Sequence, residues 1–410
     1  MSTLTIIAGV AIAILTAGPL GPAADVERLS PIRVLTHSHE VEFPDQVVFN
    51  LEAESDSPIT EVQFFYRLAD RNIQAYGYPD FSSDRRVSAE FSIKTGGSSY
   101  VPTGVDIEYF YRITDAAGNM LETEHFTFEY RDPRYTWSEV RRGDLVVLSH
   151  NLSRDSVERV AEEVAQGLTG IKELFGLDEV SPIKAVIVNG RREAQRVFPY
   201  TSETADRLHL FAGFAFGEYR LFVAQGLSKD TMMHESTHLL LDQAVSSPLA
   251  KVPAWLNEGL AMHFEAGARG RAPVVEQAAR SNRLLRLKNM GSVPGRPREV
   301  SLFYAQAWST VDHMVETYGA ERMSALVSAL EDGDKIDEAV LTTYGFTLDE
   351  LEQRWKSELL GETTLAPRPD PATVGTSSLI SGAVLFAIAA TAWRWVLRWL
   401  RGPQPVDEGA

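Results

Sequence analysis

The chain has no cysteine among its 410 residues. That excludes a disulfide framework, a thiol nucleophile and sulfur ligands to a metal, and leaves imidazole and carboxylate as the groups able to hold a transition ion. Positive charge is also in short supply. Lys and Arg number 39 against 56 Asp and Glu, a net charge of −17, so no nucleic acid is expected as a partner, nor an anionic membrane surface for the soluble part. Charge of either sign is missing from residues 1–24 and again from 371–393. No internal repeat is visible over residues 273–360.

The two uncharged ends read differently. Ile6 to Leu15 is a short apolar run followed by small residues at Ala17, Gly18 and Gly21 to Ala24, the pattern of a secretory signal peptide lacking its basic start. An uncleaved N-terminal anchor is the alternative for residues 1–24. Near the other end, residues 374–396 are long and apolar enough to span a bilayer as a transmembrane helix. A Pro-rich linker over 362–373 precedes them, and Trp395, Arg394, Arg398, Trp399 and Arg401 cluster at their far end. Aromatic anchors and positive charge there make 397–410 a cytoplasmic tail. The expectation is a single-pass cell-membrane protein with its bulk extracytoplasmic.

From residue 31 to 135 apolar residues recur at every second position. Val47, Phe49 and Leu51 make one such run, Val62, Phe64 and Tyr66 another, and Val105, Ile107, Tyr109, Tyr111 and Ile113 a third. Asp115-Ala116-Ala117-Gly118-Asn119 supplies a turn before Phe126, Phe128 and Tyr130 alternate again. Short strands and turns over such a length predict an all-β sandwich resembling immunoglobulin or fibronectin type III modules. No chemistry is visible in it, and His37-Ser38-His39 reads as a loop.

Beyond Trp137 the pattern becomes α+β: a helix from Ser153 to Leu174, a strand from Ile183 to Val188, and a hairpin of 208–216 with 219–224. Two segments then carry the chemistry, His234-Glu235-Ser236-Thr237-His238 and Trp255-Leu256-Asn257-Glu258-Gly259. Histidines four apart share one helix face, so both imidazoles can reach one ion. Glu235 follows the first histidine and sits beside the metal face, where the general base for a zinc-activated water belongs. A third ligand has to come from elsewhere, and Glu258 is the leading candidate. Ser228 and Pro253 are start signals for the two helices. His263, nearly half a turn off the face of Glu258, reads as structural. Glu265 reads as solvated, and Asp242, one turn past His238, either orients that imidazole or simply ends the helix.

These two motifs, H-E-x-x-H and W-L-N-E-G-L-A, resemble those of the gluzincin, or peptidase MA-like, zinc metallopeptidases. The resemblance covers roughly residues 140–360. It implies one Zn2+ per chain held by His234, His238 and Glu258, with Glu235 as general base. Gluzincins often stabilise the developing oxyanion with a tyrosine or histidine; Tyr304 is the candidate, with His313 behind it. The family also pairs an edge strand with the substrate backbone, which falls on 211–216. The chain departs from the aminopeptidase branch in two ways. Nineteen residues separate His238 from Glu258, one more than is typical there, and Ala212-Gly213-Phe214-Ala215-Phe216-Gly217-Glu218 stands where that branch holds a substrate's amino terminus.

The expected organisation is a signal peptide or anchor (1–24), a β-sandwich (31–135), a gluzincin-like α+β domain (136–361), the linker, the membrane helix and the tail. The expected function is a membrane-tethered zinc endopeptidase acting on peptides or proteins. A zinc hydrolase of a non-peptide substrate and a non-catalytic scaffold with a protease-like domain are the alternatives.

Overall fold

The computed structural model describes residues 31–69, 73–199 and 212–362. The chain forms two compact units, one ending at Glu350 and one starting at Leu351; of the second, residues 351–362 are described. Among the described residues no helix is long and apolar enough to cross a membrane. The expected leader, the linker beyond residue 362, the span at 374–396 and the tail lie outside the described residues.

Eight strands come first: β1 (Arg33–Glu42), β2 (Gln46–Glu54), β3 (Ile59–Leu68), β4 (Ala75–Gly77), β5 (Arg86–Lys94), β6 (Val105–Asp115), β7 (Met120–Glu122) and β8 (Phe126–Tyr130). One sheet runs β1-β2-β5 and the other β4-β3-β6-β7, with β8 also paired to β6. Period-two burial explains why they pack face to face. Val47, Phe49, Leu51 and Ala53 point inward from β2, and Phe49 meets Phe64 of β3 at 4.7 Å and Tyr109 of β6 at 4.9 Å. The turn after β6 closes on the Asp115 carboxylate, which accepts from the amides of Ala117 and Asn119 and from the Ser55 hydroxyl. His37 and His39 do not form a loop. They lie in β1 and stack on Phe126 and Phe128, each at 3.7 Å. On this edge strand the imidazoles stay open to solvent while standing on the face turned to the other sheet, where the alternation rule looks for aliphatic side chains.

A third sheet follows, built from β9 (Ser138–Arg142), β10 (Leu145–Ser149), β11 (Ile183–Val188), β12 (Gly213–Phe216) and β13 (Leu221–Gln225) in the order β12-β13-β11-β10-β9. β10, β11 and β13 are parallel, and β12 is an antiparallel edge. All five residues of β10 are buried, as a strand covered on both faces requires. Helices α1 (Arg154–Phe175), α2 (Arg191–Val197), α3 (Lys229–Ala244), α4 (Ala254–His263), α5 (Ala272–Arg280), α6 (Pro297–Tyr318), α7 (Ala320–Glu331), α8 (Ile336–Tyr344) and α9 (Leu348–Leu359) complete the described chain. Ser153 caps α1 as expected, and Thr347 and Glu350 exchange the two bonds of a capping box at α9.

The sandwich and the third sheet share one core, in which Val105 and Tyr130 join Leu148, Val186, Leu221 and Val223. Lys184 of β11 clamps the joint, donating to the Gly104 carbonyl (2.7 Å) and pairing with Glu129 (2.6 Å) and Asp106 (3.3 Å). Gly104 has φ +95°, and a Cβ there would lie 2.6 Å from Val186. Only glycine both takes this backbone conformation without strain and leaves room for the Val186 side chain.

Candidate metal centre and active site

Ser228 starts α3 by accepting the Thr231 amide at 3.3 Å. Met232, Met233, Leu239, Leu240 and Leu241 are at most 3 % exposed, and they hold the helix against α1 and the third sheet. With those faces fixed, His234 and His238 turn toward α4, whose own position is set by buried Trp255, Leu256 and Leu260. Pro253 caps α4. Glu258 therefore points back at the two imidazoles.

The geometry is close. The Nε2 atoms of His234 and His238 are 3.1 Å apart, and Glu258 Oε2 lies 3.6 and 3.9 Å from them. The three donor groups fall within 4.8 Å of one another. Each Nδ1–H donates elsewhere: His234 to Glu265 Oε1 at 2.5 Å and His238 to Asn257 Oδ1 at 2.7 Å. Both Nε2 lone pairs are thus directed at one point, an arrangement that repels unless a positive charge lies between them. Two nitrogens on one tetrahedral zinc, each roughly 2.0–2.1 Å from it, sit about 3.3 Å apart. The donor set and its spacing fit zinc. Its demand for positive charge also shows in His234: burial lowers its affinity for a proton, yet the Glu258 and Glu265 carboxylates outweigh this and push its pKa up to about 10.

Glu235 faces the other way, toward the edge strand. It is 6 % exposed and packs on Gly213, where a Cβ would come within 2.8 Å of its carboxylate. Burial pushes its carboxyl up to about 7, with His234 pulling down and the Glu258 and Glu265 charges pushing up. The Ala215 backbone holds it by a hydrogen bond. These groups line a cavity of about 680 Å³ bounded by β12, α3, α4 and the start of α6, with Tyr304 in its wall. Burial, reinforced by the Glu258 and Glu235 charges, raises the Tyr304 hydroxyl well above the usual phenol range, so it keeps its proton and can donate it in a hydrogen bond.

The structure thus brings His234, His238, Glu258, Glu235 and Tyr304 to one cavity. His313 is not part of its lining; it sits about two and a half turns past Tyr304 on α6, bonded to Thr317. His263 pairs with Asp312 at 2.9 Å, a structural tie between α4 and α6. One reading needs correction. Glu265 is not a solvated carboxylate but the group that orients His234. Of the two alternatives for Asp242, the structure favours the exposed helix-end aspartate, since Asn257 orients His238. Asn257 adjoins Glu258 in sequence, which was a usable signal, whereas Glu265 lies past the end of α4 where the chain folds back.

Carboxylates that orient a ligating imidazole typically contribute about 10- to 100-fold to metal affinity. Replacing Glu265 by Gln, which keeps an acceptor but removes the charge, is expected to weaken zinc binding by about tenfold. Competition with a chromophoric chelator measures this, and unchanged affinity would show that Glu265 does not act on the metal.

Residues 163–361 match the family described as Peptidase MA superfamily. No curated protein matches the sequence. Among solved structures, the chain is similar to the M1 zinc metallopeptidase from Deinococcus radiodurans, at 13 % identity over 80 % of this chain and 92 % of that one, with a TM-score of 0.34. A mutant of that enzyme bound to a Tyr-Ser-Ala substrate gives 13 % identity, the same coverage and a TM-score of 0.36. A β-rich likeness is to BhCBM56, at 14 % identity over 23 % of this chain and 89 % of that one, with a TM-score of 0.18.

Proposed function

Since residues 163–361 belong to the peptidase MA superfamily, a gluzincin-like peptidase family, we propose that this chain is a membrane-tethered, extracytoplasmic zinc endopeptidase. In this reading His234, His238 and Glu258 hold the zinc, Glu235 is the general base and Tyr304 stabilises the oxyanion. The observation that carries it is the pair of Nε2 atoms 3.1 Å apart beside Glu258, with the buried Glu235 carboxylate next to them.

Zinc in such a site supplies Lewis acidity, polarising the scissile carbonyl and acidifying a water. The remaining work belongs to the chain. Glu235 takes the proton of the attacking water and returns it to the departing amine nitrogen. Burial raises the Glu235 carboxyl above the usual carboxylate range, which suits a group that must hold the proton between the two transfers. The Tyr304 hydroxyl donates to the carbonyl oxygen as negative charge builds on it. β12, the edge of its sheet among the described residues, accepts an extended backbone as an added strand and lays the scissile bond over Glu235. Internal cleavage is favoured because no element that recognises a free amino terminus is identifiable in 212–218. Tethering rests on the apolar segment at 374–396, and the immunoglobulin-like reading of 31–135 would make that region a spacer or a capture module within the same compact unit.

The test uses the full-length chain and fluorogenic peptides blocked at both ends. Cleavage of blocked peptides, loss of it with a chelator and recovery with zinc is the expected result. Cleavage confined to peptides with a free amino terminus would replace endopeptidase by aminopeptidase, and no cleavage of any peptide would end the peptidase reading.

A further inference from the structure

The cavity carries its charges unevenly. Most of its ionisable groups are committed: Glu265 to His234, Asp230 to the amides of Ala266 and Gly267 at 3.3 and 3.1 Å, and Glu235 to the Ala215 backbone. Two are not. Asp242 and Arg271 line the cavity, are exposed, and make no ion pair or hydrogen bond among the described residues.

They stand at opposite ends. Asp242 lies one turn past His238 on α3, beside Gly217, where a Cβ would press on its carboxylate. Arg271 ends the short 3-10 turn Ala268–Arg271, which follows directly on Gly267, the residue bonded to Asp230 at the start of α3. Asp230 and Asp242 are twelve residues apart on one helix, or about 18 Å at 1.5 Å per residue. An extended peptide covers that length with about five residues.

β12 gives this axis a direction. It runs alongside α3 with Gly213 against Glu235 and, just past its end, Gly217 against Asp242. A strand added antiparallel to it enters with its amino-terminal side at Asp242 and leaves with its carboxyl side toward Arg271. A strand added in parallel would present its ends to charges of the same sign. Resting on the peptidase reading above, we propose that the cleft selects peptides carrying a cationic group on the amino-terminal side of the scissile bond, held by Asp242, and an anionic group on the carboxyl side, held by Arg271. A free ammonium and a free carboxylate at the ends of a short peptide meet the same requirement as Lys or Arg and Asp or Glu side chains.

Four doubly blocked peptides with one common core test this, carrying Lys then Glu, Glu then Lys, two Lys or two Glu on the amino and carboxyl sides. With the full-length chain, kcat/KM for Lys-then-Glu is expected to exceed that for Glu-then-Lys by about tenfold, mostly through KM and less at high salt, as for exposed pairs worth up to a factor of a few each. Arg271→Glu should shift preference on the carboxyl side alone, Asp242→Lys on the amino side alone, and the double variant should invert the order. Asp242→Asn and Arg271→Gln, which leave the fold least disturbed, should each erase discrimination on their own side. Equal kcat/KM for all four peptides, or variants that slow all four alike, would overturn the charge axis and leave the peptidase reading standing. No cleavage of any of the four would overturn both.

Discussion

Exchanging Glu235 for Gln is expected to lower kcat by about 10³–10⁴, at the upper end of what a positioned acid–base group contributes, while zinc stays bound at about one per chain. The size of the effect follows from how little else changes. Gln has the same shape, so it fills the space against Gly213 that a Cβ would invade, and its amide oxygen can keep the bond from the Ala215 backbone. The metal donors belong to other residues. What disappears is the ability to take a proton and give it back. Turnover of blocked peptides and zinc content, measured on the same preparation, separate loss of chemistry from loss of metal. Full activity in this variant would sink the mechanism; joint loss of zinc and activity would show that Glu235 maintains the site instead.

The second large effect is on the metal itself. His238→Ala should reduce zinc from about one per chain to near none, and activity with it. Three donors hold the ion, so removing one leaves a bidentate site, and the Asn257 amide loses the N–H it now accepts. A ligand present at about 1,000 times its Kd stabilises the folded state by about 4 kcal/mol. Zinc should therefore raise the Tm of the parent chain by several degrees and leave that of His238→Ala unmoved. Equal zinc in both proteins would place the ion elsewhere.

Which parts of this site were legible in the sequence follows from how far apart the cooperating residues lie. His234 and His238 are read from spacing because helix geometry alone puts them on one face. Glu235 follows from the same turn. Glu258 needed a second motif and a resemblance, since its approach depends on how α4 packs on α3. Glu265 carried no local mark. It reaches His234 across 31 residues only because α4 stops at His263 and the chain turns back. Asp242 shows where spacing alone stops: it allowed either a partner for His238 or a helix-end aspartate, and the choice falls to the second because Asn257 already holds that imidazole.

The same division holds for the fold. Strands with aliphatic and aromatic alternation, such as β2 and β6, announced themselves, and so did β11, whose bounds Ile183–Val188 are those the pattern predicts. β1 did not, because its inward side is histidine, and its partners Phe126 and Phe128 are about ninety residues away. β9 and β10 were also missed. β10 is too short and too uniformly apolar for either period to show.

The clamp at Lys184 has a consequence for how this chain can be cut or recombined. Severing it near residue 135 would uncover Val186 and Leu148 on one side and Val105 and Tyr130 on the other, and would strand a lysine whose carboxylate partners had left with the other fragment. Neither piece would behave as an independent module. Any exchange of the β-rich portion for another has to carry a matching seat for that lysine and a residue as small as Gly104, so the two portions are constrained to be inherited as a pair.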